Sequence, residues 1–230
     1  MGGYKRISRA RKRDLQQPDE FLTWSARLLQ TVAKFKNRII WGAIAAVVVA
    51  AGIMGYNAYL NQREMKAYAG LGRLVETYQA ERAPGSADEA LERVRADMEA
   101  LIGSHGSGTA GKMAKVLLAG YSYEAGKTEA AIDLFKQALQ DFEPGSYYHA
   151  AILNGLGYAY EKSGDFKAAL AQFERLTGEA GGFLKTDALY NSARMYGRLG
   201  EKDKRESALR KIVDDRPDYL YADLIASEVD

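Results

Sequence analysis

The sequence predicts an all-α protein, with one membrane-spanning helix followed by a solenoid of α-hairpins. Three observations lead there. Residues 39–60 form a predominantly apolar run without a charged side chain. Downstream, three stretches repeat one helix–turn–helix pattern around Gly126, Gly164 and Gly200, spaced 38 and 36 residues apart. Only four prolines interrupt the 230 residues, so long helices are permitted throughout.

Composition narrows the function classes. With no cysteine in the chain, neither a disulfide framework nor a thiolate metal site can form. The net charge of +2 conceals an asymmetry. Residues 1–38 hold ten Lys/Arg against three Asp/Glu, whereas the remainder holds 22 against 27. A basic tail is thus joined to a mildly acidic domain. Nucleic-acid binding by that domain is disfavoured, because phosphate neutralisation requires a clustered basic face. Three segments follow: a basic cytoplasmic tail with an amphipathic helix (1–38), a transmembrane helix (39–60) and a helical repeat domain (61–230).

Residues 1–17 are basic and polar with few apolar groups, a disordered composition. Pro18-Asp19-Glu20 then reads as a helix start, with proline in the first turn and acids at the positive end of the dipole. Phe21, Leu22, Leu28, Leu29 and Val32 follow at roughly helical spacing, with Trp24 nearby. Three readings are open: a helix on the inner membrane face held by anionic lipid, a docking helix for a membrane partner, or a plain juxtamembrane extension.

As a helix, Ile39–Leu60 spans roughly 33 Å, which matches a hydrocarbon core of about 30 Å. Trp41 near one end, and Tyr56 and Tyr59 near the other, take the interfacial positions of membrane anchors. A buried core helix would need apolar surroundings that the rest of the chain does not offer. A cleaved signal peptide would need a shorter basic region and a small-x-small site, so an uncleaved anchor is expected. Lys34, Lys36 and Arg38 abut the N-terminal end, while Arg63, Lys66 and Arg73 beyond the other end are balanced by Glu64 and Glu76. Lys/Arg excess stays inside, so the expected topology is N-terminus cytoplasmic and repeat domain outside. Gly42, Ala46 and Ala50 share a helix face, as do Ala51 and Gly55, a spacing that suits helix packing in lipid and is also common in any span.

Each repeat reads as helix A, a short turn and helix B, with glycine where helix A must end in a left-handed cap. The second is the clearest. Leu156, Gly157 and Tyr160 lie on helix A, Ser163-Gly164-Asp165-Phe166 make the turn, and Ala169, Leu170, Phe173 and Leu176 line helix B. In the first, Ala119, Gly126, Ala131, Ile132, Phe135 and Ala138 take matching places. In the third, Ala193, Tyr196, Gly200 and Pro217 match, but Arg205 stands where a small residue belongs, so a distorted or capping repeat is expected. Upstream, 65–81 and 87–102 have helical periodicity around the breaker Ala83-Pro84-Gly85-Ser86. They read as a degenerate first hairpin whose first helix continues out of the membrane. Residues 220–225 suggest a short terminal helix.

These residues resemble the tetratricopeptide repeat, whose pattern sets Leu-Gly, Tyr, Gly, Tyr/Phe, Ala, Phe and Pro at fixed offsets. Residue-level matches cover about 110–217, and the spacing above 34 implies longer turns between repeats. The whole layout resembles a bacterial inner-membrane family with a basic cytoplasmic tail, one anchor and a periplasmic tetratricopeptide-like domain, which includes the ancillary chaperone-linked subunit of the Sec translocon. That resemblance implies a protein-binding module near the translocon, without catalytic residues or cofactors. It also implies groove positions on the A helices: Met113, Val116 and Tyr123, then Asn154, Tyr158 and Lys162, then Tyr190, Arg194 and Arg198. Tyrosine and arginine often anchor interfaces, yet such positions also serve packing or solvation. Val116 and Gly120 depart from the Lys and Asn of the carboxylate-clamp subgroup, so recognition of a chaperone's acidic tail is not implied. The partners expected are other envelope or translocon-associated proteins, with the chain as a tethered module or as a fixed subunit of a larger complex or oligomer.

One motif points elsewhere. Gly106-Ser-Gly-Thr-Ala-Gly111-Lys112-Met113 approaches the phosphate-binding loop G-x-x-x-x-G-K-[ST]. Met113 replaces the hydroxyl that would hold magnesium, and the segment follows a helical pattern rather than a strand, so a link between hairpins is the better reading. His105 and His149, the two histidines, stand in different segments without clustered ligands, which argues against metal or general-base chemistry.

Overall fold

The computed structural model describes residues 20–83, 86–179, 182–216, 222 and 225–226, with side chains from Val32 onward and none at 182–183. Eight helices and no strands are found among them. They are α1 (Glu20–Arg82), α2 (Ala87–His105), α3 (Thr109–Glu124), α4 (Thr128–Leu139), α5 (Tyr147–Ser163), α6 (Phe166–Glu179), α7 (Gly182–Leu199) and α8 (Lys202–Asp215). The tail 1–17, the Pro18-Asp19 helix start and Pro217 lie outside the described residues. Of the expected terminal helix, Ala222 and Ile225 are helical and buried.

By internal contacts the chain divides into two units, at Asn61/Gln62. In the first, every described side chain from Val32 to Asn61 is exposed, Trp41 being 70%, Tyr56 62% and Tyr59 55% accessible. α1 is long and apolar enough to cross a membrane, and none of its most apolar stretch is buried within the protein.

In the second unit, the part of α1 beyond Asn61 and α2 form the first hairpin, and α3/α4, α5/α6 and α7/α8 form three more. The expectation of a degenerate first hairpin built on the continuing helix agrees with this arrangement. Four residues place its core: Leu71 and Tyr78 of α1 pack with Leu91 and Met98 of α2. Ser86 caps α2, accepting the Glu89 N–H at 3.2 Å, which satisfies a donor with no intrahelical partner.

The three anchor glycines all take the left-handed conformation, with φ 77° at Gly126, 84° at Gly164 and 77° at Gly200. After each, the next N–H reaches five residues back: Lys127 to Ser122 O (2.8 Å), Asp165 to Tyr160 O (3.0 Å) and Glu201 to Tyr196 O (2.9 Å). This closing bond ends helix A and reverses the chain without exposing its last carbonyls. Close approach of the two helices then requires a small residue. A Cβ at Gly157 would lie 2.5 Å from the Phe173 ring, which is fully buried.

The third repeat is not distorted at its turn. Arg205 replaces the small residue, but opposite it stands Gly197, whose Cβ position lies 3.3 Å from Arg205 Cδ. The missing side chain on α7 makes room for the long one on α8. Among the described residues, the connection 140–146, containing Pro144 and a left-handed Gly145 (φ 79°), is long, and α2 and α3 are joined through 106–108. Apolar clusters follow one another along the stack. Ile132, Phe135, Ile152 and Leu156 join α4 to α5, Leu153 and Leu176 join α5 to α6, and Leu189, Leu209, Ile212 and Ile225 close the end. Each hairpin thus buries its face chiefly on its neighbours.

Candidate protein-binding groove

α3, α5 and α7 are the A helices of successive hairpins, and the nine positions expected from the sequence lie on these three helices. Several are joined into one polar ladder. Lys162 donates from Nζ to the Tyr123 carbonyl at 2.8 Å and sits 4.6 Å from the centre of the Tyr123 ring. Arg194 pairs with Glu161, and its Nη1 donates to Asn191 Oδ1 at 2.8 Å. Asn191 in turn donates to the Tyr158 hydroxyl at 3.0 Å, and the Tyr158 ring meets Phe173 edge-on at 5.4 Å. Burial raises the pKa of the Tyr123 hydroxyl, helped by the nearby Glu161 and Tyr158 and opposed by Arg194.

The remaining positions lie on the same helices. Arg198 stacks over the Phe166 ring at 5.0 Å. Tyr190 is 37% exposed, whereas Asn154 and Val116 are half-buried, Val116 against the α4–α5 cluster. Met113 Sδ lies 3.9 Å from the hydroxyl of Tyr68, a residue of α1. Tyr68, Glu161 and Asn191 were not singled out in the sequence. Glu161 and Asn191 stand three residues from Tyr158 and Arg194 on their helices, and that spacing was the available signal.

The phosphate-loop-like segment is filled by the chain itself. The Ala110 N–H at the start of α3 donates to Glu64 Oε1 at 2.7 Å, so a carboxylate 46 residues upstream occupies the position an anion would take. The Lys112 ammonium donates to the Asp141 carbonyl at 3.2 Å, while Lys115 pairs with the Asp141 carboxylate at 2.7 Å. Its glycines serve close packing: a Cβ at Gly111 would strike the His105 carbonyl, and one at Gly108 would strike Glu64.

His149 is buried between two charged residues of α6. Its Nδ1 lies 2.8 Å from Glu179 Oε2 and its Nε2 3.1 Å from Arg175 Nη2. Because the guanidinium can only donate, Nε2 must accept there, which leaves the proton on Nδ1, facing Glu179. Burial works against ionisation of Glu179. The Arg175 hydrogen bond, the neighbouring His149 imidazole, the Arg175 charge and the Gly145 N–H outweigh it and hold its pKa below the usual carboxylate range. The cluster ties the start of α5 to the end of α6.

These hairpins define a class of helical-repeat scaffold. The sequence pattern described as "Tetratricopeptide repeat-like domain" matches residues 32–181, and that described as "Tetratricopeptide repeat" matches 186–219. The chain belongs to the tetratricopeptide-repeat-like family, whose fold typically serves protein interaction without catalysis. Among solved structures, a tetratricopeptide repeat protein from Parabacteroides merdae ATCC 43184 superposes with TM-score 0.56 at 18% identity, covering 70% of this chain. This chain spans 59% of that protein's length. A Podosopora anserina putative kinesin light chain with nearly identical TPR-like repeats gives TM-score 0.57 at 14% identity, covering 72% of this chain and 84% of that one. The MamA protein gives 0.51 at 19% identity, covering 66% and 76%. These likenesses concern the fold. No curated protein matches the sequence.

Proposed function

We propose that this protein is a membrane-tethered protein-interaction module of a bacterial envelope. Residues 39–60 anchor it, the N-terminus lies in the cytoplasm, and the repeat domain in the periplasm holds partner proteins near the translocon. The observation that supports tethering most is the charge-free stretch of α1, whose side chains are all exposed and would otherwise face water. The Lys/Arg asymmetry across it supports the topology. The tetratricopeptide-like match begins at residue 32, ahead of this stretch, so the region in common with the family takes in the span as well as the repeats. Tethering confines the groove near the membrane and raises its effective concentration for partners there.

The test is site-specific photo-crosslinking from position 190 in intact membranes, read by mass spectrometry. Tyr190 is the exposed tyrosine of the groove, whereas Tyr158 is held by Asn191 and Phe173. Exported chains, chaperones or translocon subunits among the products support the reading. One partner at constant stoichiometry redirects it to a fixed subunit of an inner-membrane complex, for which the exposed small residues Gly42, Ala46 and Ala50 offer a packing face. No crosslinks, or digestion-resistance of the repeat domain when protease is added to spheroplasts, refutes it.

A further inference from the structure

The step from the second repeat to the third is packed less tightly than the step before it. Aligned on the capping glycines, Ser192 stands where α5 has Leu156, and Thr177 stands where α4 has Leu139. Leu156 is 2% exposed and packs with Phe135 and Ile152, with Leu139 against the same cluster. The two smaller residues instead border a cavity of about 460 Å³ enclosed by α6, α7 and α8, a volume in the range of small-molecule sites. Leu189, Ser192 and Tyr196 of α7 form its floor, and Leu189 and Ser192 are buried. Glu174 and Thr177 stand on one wall and Asp203, Ser207 and Lys211 on the other. None of the nine candidate groove positions borders it.

Three hydroxyl groups of this cavity each donate their hydrogen inside the protein. Ser192 Oγ donates to the Ala188 carbonyl at 2.8 Å, Thr177 Oγ1 donates to the Phe173 carbonyl at 2.9 Å, and Tyr196 donates to Glu174. The Glu174 hydrogen bond, burial and the charges of Glu174 and Glu201 leave the Tyr196 pKa pushed up to about 12, so the phenol keeps its proton. These oxygens therefore present only lone pairs to an occupant. Glu174 and Asp203, toward the Gly200 end, add two carboxylates. A surface of acceptors and anions selects a cationic donor.

The far end has the opposite sign. Lys211 stands eight residues beyond Asp203, roughly 12 Å along α8. Among the described residues neither Asp203 nor Lys211 is in an ion pair, whereas Lys204, the other lysine of the cavity, pairs with Glu201 at 2.6 Å. Leu189 and Ala208 supply apolar surface in the same cavity.

We propose that this cavity binds a short linear zwitterion, a tri- or tetrapeptide with free termini, its ammonium on Glu174, Asp203 and the Tyr196 oxygen and its carboxylate on Lys211. An extended chain advances about 3.3 Å per residue, so three or four residues join the two ends. Their central side chains rest on Leu189 and Ala208. The cavity shares no residue with the A-helix positions, so this inference and the groove reading can fail separately.

The experiment is isothermal titration calorimetry of Ala-Leu-Ala and Ala-Leu-Leu-Ala into the full chain in detergent, against a micelle blank, with N-acetyl and C-amide forms alongside. Saturable binding of the free peptides is expected. Acetylation should weaken it about 5- to 30-fold, because the ammonium leaves acceptors and carboxylates without a donor. Amidation should weaken it about two- to fivefold, since Lys211 is exposed. Asp203→Asn should shrink the acetylation penalty, and Lys211→Gln should remove the amidation penalty. Ser207→Trp, at an exposed position, should fill the cavity and abolish binding with an unchanged thermal melt. If that variant melts early, the two charge variants decide. No saturable binding, doubly blocked peptides that bind as tightly as free ones, penalties unchanged in the charge variants, or full binding by a folded Ser207→Trp overturns the inference.

Discussion

The carboxylate of Glu64 makes a quantitative case. α3 begins at Gly108, which has no side chain to cap the helix, and Glu64 Oε1 accepts the Ala110 N–H at 2.7 Å. Glu64→Ala removes a cap, worth about 1 kcal/mol, and a negative charge at the positive end of the dipole, worth about 0.3–1 kcal/mol. The expected destabilisation is therefore about 1–2 kcal/mol, which lowers Tm by roughly 3–6 °C for a domain of this size. Locally, hydrogen exchange at the Ala110 amide should accelerate about 5- to 30-fold if it exchanges through opening of this turn. Glu64→Gln keeps an acceptor oxygen without the charge and should recover about half the loss. Sulfate should stabilise Glu64→Ala more than the natural chain, because the vacated amides then accept an outside anion. Both quantities are measured on the full chain in detergent, by thermal circular dichroism and by exchange mass spectrometry. Equal Ala110 exchange in all three proteins, or equal sulfate stabilisation, would refute the assignment.

Other outcomes follow from the packing. Gly157→Ala should destabilise by up to about 2 kcal/mol, because overpacking of about 1–3 kcal/mol against Phe173 exceeds the helix-propensity gain of about 1 kcal/mol, whereas Gly120→Ala should raise Tm. Thermal melts showing the same sign for both would contradict the contact. Gly164→Ala, at φ 84°, should cost about 1–2 kcal/mol in denaturant unfolding, and Gly164→Asn less. For Glu179, the folded pKa is depressed, so its contribution is complete above the ordinary carboxylate pKa and disappears as pH falls through the lower folded value. Glu179→Gln should therefore lower Tm at neutral pH and flatten the acid limb of a Tm-versus-pH curve. An unchanged acid limb would show that other carboxylates set it.

The hairpins were readable because their determinants are local. Each left-handed glycine ends a helix by its own backbone freedom, and each apolar face is set by spacing within one helix. The long-range pairings had no such signature. Glu64 reaches α3 across 46 residues, and His149 reaches Arg175 across 26. Gly197 opposite Arg205 shows the same limit. The sequence marked Arg205 as an offence against the repeat, but the compensating glycine is visible only when the two helices face each other. The groove positions came from family resemblance rather than chemistry. Folding shows that Tyr158 and Arg194 are already engaged by neighbours, while Tyr190 is exposed.

Composition and periodicity alone therefore determined the apolar charge-free helix, the charge asymmetry around it, the three hairpins and the places where their chains turn. Each of these is written in residues a few positions apart, where backbone geometry and hydrophobic spacing act. Only the tertiary structure decided that a stem carboxylate occupies the anion position of the glycine-rich loop. It likewise decided that a buried histidine lies between two charged groups, and which of the candidate groove side chains are already engaged by neighbours. Those outcomes depend on which helix faces which, and that is settled by side-chain packing between segments that the sequence holds far apart.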